Sequence, residues 1–315
     1  MKNRHFQTIY STFFRKLSLL PFKLETFILS DGDFVDCHWY GEEQADYPIV
    51  VLYHGLAGSY KSPYIQGILL ALKKSAYTVV LMHFRGCSGR SNNLPRSYHS
   101  GDTQDAKEFL TQLKQRNPNK KLYAVAYSLG ANMLLKLLGE MQEKSLLDAA
   151  VAISAPMQLD MCASFIDQGF AKFYQKNLVK ELNKSLDKKY DKHPMQEIIS
   201  LQREKIKNIH SFWDFDAIYT APVHGFNSAQ DYYTKSSAKQ FLKHIQVPTL
   251  IIHAKDDPFM PVDILPNKDE LPSCIKLEVS EHGGHVGFIG GTFLNPTYWT
   301  EKRITEFFDS QNSSL

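Results

Sequence analysis

The chain has 315 residues, 43% of them hydrophobic and 22% charged, which is enough for one large α/β domain with an insertion and a substantial core. With 36 basic against 33 acidic residues the formal net charge is only +3, a balance that gives no reason to expect nucleic acid as a partner. Cys37, Cys87, Cys162 and Cys274 are scattered without C-x-x-C spacing, so free thiols in a reducing compartment are expected.

The N-terminal arm carries basic residues and two short apolar groups, Phe13-Phe14 and Leu17 to Leu20, broken by Arg15, Lys16, Ser18 and Pro21. That is too short for a membrane span and lacks the form of a signal peptide. Cytoplasmic residence is the expectation, with peripheral membrane contact by this aromatic-basic segment as the alternative. Thr26 to Leu29 and Phe34 to Trp39 then read as two strands joined by a turn at Asp31-Gly32-Asp33.

From here strand and helix alternate. Strands are expected at Val50 to Tyr53, Thr78 to Met82, Leu122 to Tyr127, Ala149 to Ile153, Thr249 to His253 and Ile275 to Val279, most of them apolar enough to be covered on both faces. Helices are expected near Pro63 to Lys73, Thr103 to Gln115 and Ala131 to Met141. The glycine-rich turn His83-Phe84-Arg85-Gly86-Cys87-Ser88-Gly89 follows a strand and is placed to border a pocket; it lacks the Lys-Ser/Thr end of a phosphate-binding loop. Such alternation implies an α/β fold with a mainly parallel central sheet flanked by helices.

The alternation breaks between Pro156 and about Leu242, where the sequence turns helical and aromatic. This divides the chain into an N-terminal part of the core (1–155), a helical cap insertion (156–242) and a C-terminal part of the core (243–315). Phe165, Phe170, Phe173 and Tyr174 are packing residues of the cap, of the types that would also cover an apolar acyl pocket. The lysine-rich run Lys172 to Lys192 reads as a solvated helix face. No internal repeat is present.

Chemistry concentrates at Ala126-Tyr127-Ser128-Leu129-Gly130, between an expected strand and an expected helix. A serine there reads either as a helix N-cap or as a nucleophile elbow, whose tight reversal needs small residues two before and two after the serine. Gly130 meets that need; Ala126 puts a methyl group where the motif has hydrogen. An activated serine requires a base, and the base requires an orienting carboxylate. The strand at Thr249 to His253 leads into Asp256-Asp257-Pro258, and the strand at Ile275 to Val279 leads into His282-Gly283-Gly284-His285. Asp257, fixed by the adjacent proline, and His285, placed after two glycines, are the preferred members of each pair. The order Ser, Asp, His is that of α/β-hydrolases. The turn His54-Gly55-Leu56-Ala57-Gly58 and the start of the helix after Ser128 supply oxyanion-hole donors, assigned to the backbone N–H groups of Leu56 and Leu129. The competing use of His282 and His285 with Asp256 or Asp257 as metal ligands lacks the helical frame that would give it specificity. This chemistry calls for no metal and no cofactor.

Taken together, Asn3-Arg4-His5-Phe6-Gln7-Thr8, Asp31-Gly32-Asp33-Phe34, His54-Gly55-Leu56, His83 to Gly89, Tyr127 to Gly130, His253 to Phe259 and His282 to Phe288 resemble the YheT-like branch of the α/β-hydrolases, related to eukaryotic ABHD-type lipid hydrolases. The resemblance covers nearly the whole chain. It implies a hydrolase with Ser128, Asp257 and His285 as its triad; Ala126 departs from the family's usual glycine. The expected substrate is a carboxylic ester, with a medium-chain or lipid-like acyl group, cleaved through an acyl-enzyme. Acyl transfer to an alcohol or thiol by the same triad, and a non-catalytic binding role on the same fold, are the alternatives.

Overall fold

Burial on both faces explains the central strands. A computed structural model describes residues 2–15 and 19–312; the arm's apolar group beginning at Leu17, with Lys16 and Ser18, lies in part outside them. In chain order the elements are α1 (Arg4–Phe14), β1 (Lys23–Ile28), β2 (Phe34–Tyr40), β3 (Ile49–Tyr53), α2 (Pro63–Lys74), β4 (Thr78–Met82), α3 (Gln104–Arg116), β5 (Leu122–Tyr127), α4 (Leu129–Met141) and β6 (Ala149–Ile153). Then come α5 (Leu159–Ile166), α6 (Ala171–Lys189), α7 (Met195–Ile199), α8 (Phe212–Phe215), α9 (Ala221–Val223) and α10 (Ala229–Ser236), followed by β7 (Thr249–Ala254), β8 (Ile275–Ser280), β9 (Ile289–Gly291), β10 (Pro296–Tyr298) and α11 (Trp299–Asn312).

Eight strands form one sheet in the order β1-β2-β4-β3-β5-β6-β7-β8. β1 and β2 pair antiparallel, as does β2 with β4, and the remaining pairs are parallel. The expected hairpin is present, with Gly32 at φ +81° in its turn, a conformation glycine adopts without strain. Every residue of β3 to β7 is buried. One face of the sheet packs on Phe109 and Leu110 of α3 and Met133 and Leu134 of α4; the other packs on Ile65, Ile68 and Leu69 of α2 and Ile304 and Phe308 of α11. This is the mainly parallel, helix-flanked sheet expected from the alternation.

Register sets up the site. Tyr53 pairs with Ala126 and Ala126 with Ala152, while Ile153 pairs with Ile252, so the parallel strands end level with one another. The loops after β3, β5, β6 and β7 therefore emerge side by side at the C-terminal edge, where open α/β sheets gather their ligands.

Between β6 and β7, α6, α7, α8 and the turn after α8 build a core of their own from Val179, Leu186, Met195, Ile199, Phe215 and Tyr219. The lysine-rich run is largely a solvated face of α6, with one exception. Lys189 is buried and donates to Asn92 Oδ1 and to the carbonyls of Leu94 and Arg96, and burial lowers its pKa to about 8. One charge is thus spent on clamping α6 to the loop after β4.

Two features of the arm and the glycine-rich turn were not expected. The arm forms α1, begun by Asn3, whose side chain accepts the N–H groups of His5 and Phe6. The turn at residues 83–89 does not line the cavity described below. Its Arg85 is buried and bridges Asp33, Asp31 and Asp105, so this turn ties the β1–β2 hairpin to α3.

Candidate active site

Ser128 links β5 to α4 with φ +52° and ψ −120°, a backbone conformation that L-residues adopt only under strain. Two features hold it there: the Ser128 N–H donates to the Ile153 carbonyl, and α4 starts at the next residue. A Cβ on Gly130 would come within 2.5 Å of the His54 carbonyl oxygen, so only glycine lets α4 approach β3 this closely. Ala126 is fully buried in the sheet core, where its methyl group is accommodated. The departure from the glycine motif leaves the elbow intact.

The preferred partners of Ser128 are brought to it. His285 Nε2 lies 2.9 Å from Ser128 Oγ, and His285 Nδ1 lies 2.9 Å from Asp257 Oδ2. With Nδ1–H donating to the carboxylate, Nε2 is left to accept the serine proton. Asp257 is buried, and its other oxygen accepts the Phe259 N–H at 2.8 Å. The Phe259 ring stacks on the imidazole, centroids 4.1 Å apart and planes at 15°.

Asp256 and His282 form a second pair instead of competing for the first. Asp256 Oδ1 accepts the N–H groups of Gly283 and Gly284, and Oδ2 lies 3.2 Å from His282 Nδ1. This carboxylate pins the loop that presents His285. The four groups therefore do not converge as a metal site: each imidazole has its own carboxylate. Among the described residues His99, Asp102 and His224 also lie together, but His99 Nδ1 accepts the Gly101 N–H and Asp102 pairs with Arg96.

Gly55 lies against Ser128; a Cβ there would meet Ser128 Cβ at 3.1 Å. The N–H groups of Gly55 and Ala57 donate to the hydroxyls of Tyr64 and Tyr98, each at 2.9 Å, which fixes the Leu56 peptide between them. Leu129 is the first residue of α4, where helix N–H groups lack intrahelical acceptors and the helix dipole is positive. Leu56 and Leu129 both line the cavity beside Ser128. The loop also rests on neutral histidines. Burial lowers the His54 pKa to about 4 and the His83 pKa to about 2; His54 Nδ1 donates to Gly55 O, and Nε2 accepts the Phe84 N–H.

Residues of α1 complete the surroundings and had no assigned role. Thr8 Oγ1 accepts the His285 N–H at 2.9 Å, and Arg4 donates to the Asp257 carbonyl. Gln7 both donates to and accepts from the Ile289 backbone. The Asn3 cap is the signal that could have revealed this helix.

Ser128 and His285 open into a cavity of about 510 Å³. Its walls include Ile9 of α1, Leu159 and Ile166 of α5, Leu178 and Leu182 of α6, and Phe212 and Phe215 of α8. Of the aromatic residues expected in the insertion, Tyr174 lines this cavity, whereas Phe170 and Phe173 are exposed.

Fold and site together define a class. The chain belongs to the α/β-hydrolase family: the family model for the alpha/beta hydrolase fold matches residues 48–292. Within that class it is YheT-like, being 43% identical over 310 residues to YheT of Escherichia coli (strain K12), across 97% of this chain and 90% of that protein. It is also 32% identical to the medium-chain fatty acid ethyl ester synthase/esterase 2 of Saccharomyces cerevisiae, over 84% of this chain and 62% of the yeast protein. Among solved structures, the esterase Pf2001 of Pyrococcus furiosus superposes with a TM-score of 0.58 over 92% of each chain at 17% identity, a likeness of fold. No helix among the described residues is long and apolar enough to cross a membrane.

Proposed function

We propose that this protein is a serine hydrolase that cleaves carboxylic esters through an acyl-enzyme on Ser128. The observation that carries the reading is the unbroken line Ser128 Oγ, His285 Nε2, His285 Nδ1, Asp257 Oδ2 at the mouth of an apolar cavity. His285 takes the Ser128 proton as the oxygen attacks the acyl carbonyl, and Asp257 stabilises the imidazolium. The Leu56 and Leu129 N–H groups bind the oxyanion. The alcohol then leaves with the proton from His285, and water activated by the same imidazole releases the acid. A strained serine backbone supports a chemical role over a purely binding one, because strain persists where function needs it.

The apolar lining supports medium-chain or lipid-like acyl groups, and the insertion 156–242 acts as the cap over them. Nitrophenyl esters of increasing chain length test this: turnover peaking at medium chains is expected, and a peak at acetate contradicts it. The yeast relative's name pairs a synthase with an esterase activity, which favours acyl transfer as a second reading. Ethyl ester accumulating with added ethanol would support it.

Peripheral contact with an anionic lipid surface belongs to the same reading. Phe13 and Phe14 on α1, and Phe170 and Phe173 at the start of α6, are exposed on the helices that border the cavity, and Lys172, Lys176 and Lys180 of α6 are exposed as well. Sedimentation with vesicles containing phosphatidylglycerol but not with pure phosphatidylcholine vesicles is the expected result.

A further inference from the structure

The buried carboxylates outside the Ser128 site have guanidinium partners: Asp33 and Asp105 pair with Arg85, Asp36 with Arg90 and Asp102 with Arg96. Asp216 does not. It opens the single π-helical turn Asp216–Thr220 that follows α8, and it lines the same cavity as Ser128. Its carboxylate accepts the Thr220 hydroxyl at 2.5 Å and the Tyr233 hydroxyl at 2.7 Å. No cation bridges it among the described residues.

A carboxylate offers about four acceptor positions, so two hydroxyl donors leave about half of them unfilled. A plain hydrocarbon chain in this cavity would have to lie against that unfilled capacity. Keeping a polar group desolvated beside an apolar ligand is costly unless the ligand supplies a donor. Burial raises the Asp216 pKa to about 6, so the site holds negative charge weakly. Its two partners are both neutral hydroxyls, so a further neutral donor from the ligand fits this site better than an ammonium group that would itself have to be desolvated.

We propose that Asp216, backed by Thr220 and Tyr233, is a hydroxyl-binding subsite of the substrate cavity. It rests on the ester-hydrolase reading and deepens it: preferred substrates carry a free hydroxyl on the part that reaches Asp216. That hydroxyl belongs to a polyol alcohol or to the far end of a hydroxylated acyl chain. Asp216 acts here as a specificity residue that binds substrate away from the reacting bond.

The test measures kcat/KM for ethyl decanoate, glycerol monodecanoate and ethyl ω-hydroxydecanoate with the wild type, Asp216→Asn and Asp216→Leu. The wild type is expected to favour one hydroxylated ester over ethyl decanoate by about tenfold, the worth of one hydrogen bond to a charged group. Which ester is favoured identifies the side of the substrate that carries the hydroxyl. Asp216→Leu should erase the ratio, and Asp216→Asn, which keeps one acceptor oxygen, should lower it less. An unchanged ratio in both variants, or an equal loss on all three esters, overturns the proposal.

A binding arm keeps the two readings apart. Calorimetry with the Ser128→Ala protein should show octyl glyceryl ether or 8-ethoxyoctanol binding more tightly than octyl ethyl ether, and the added Asp216→Leu change should remove the difference. Equal binding of all three ethers overturns the subsite even if esters are cleaved. Absence of ester turnover with discrimination intact counts against the hydrolase reading alone.

Discussion

Gly130 and Ala126 flank Ser128 and differ in what they tolerate. A methyl group at Gly130 meets a carbonyl of β3, which cannot yield as a flexible side chain would. Gly130→Ala should therefore lose about 1–3 kcal/mol in urea unfolding, together with most of its esterase turnover. Ala126→Gly should lose about 1 kcal/mol with no gain in kcat, since the methyl group fills core space in a strand. The acidic pair separates in the same way. Asp257→Asn removes the acceptor that sets the imidazole tautomer and should lower kcat by about 10⁴-fold. Asp256→Asn loosens the Gly283–Gly284 loop and should affect thermal stability more than kcat. Residue types and their order left two candidate acids and two candidate bases, and the adjacent proline and glycines with the family resemblance pointed to Asp257 and His285, which the fold places in hydrogen-bond reach of each other and of Ser128. The subsidiary role of Asp256 was not legible, because a carboxylate bound to backbone N–H groups leaves no mark in residue type.

At the scale of elements, β4, β5 and β6 run over the spans read from sequence, because a strand buried on both faces is a bare apolar run bounded by turn residues. α1 was missed for another reason. Phe6, Ile9, Tyr10, Phe13 and Phe14 do recur at helical spacing, but reading the arm as short apolar groups broken by basic residues concealed that period. Yet this helix touches both partners of Ser128. Thr8→Val keeps the shape but removes the acceptor of the His285 N–H, and a kcat lower by about tenfold is expected in steady-state assays. Full kcat in that variant would make α1 a bystander. The π-helical turn at Asp216 was likewise invisible, since one extra residue per turn has no compositional signature.

For the whole molecule, the buried histidines set the response to acid. Burial lowers the pKa of His38 and His54 to about 4, of His83 to about 2 and of His99 to about 3, against 6.5 for the free side chain. The unfolded chain takes up these protons first as pH falls, so stability is lost progressively from about pH 6.5 toward pH 4. Asp216 works in the opposite sense: its raised pKa makes the folded state bind a proton earlier, and its contribution improves as pH falls through about 6. The lowered histidines outweigh the raised carboxylate of Asp216, which predicts a Tm that drops between pH 7 and pH 5, and drops more steeply in Asp216→Asn. A flat or rising Tm would contradict this.

The central claim is that Ser128 is an activated nucleophile. Labelling of the folded protein by a fluorophosphonate probe, compared with Ser128→Ala and His285→Ala, tests it without any choice of substrate. The account predicts strong labelling of the wild type, lost in both variants. A folded wild-type protein that the probe leaves unlabelled, or a His285→Ala variant labelled as fast as the wild type, would contradict it.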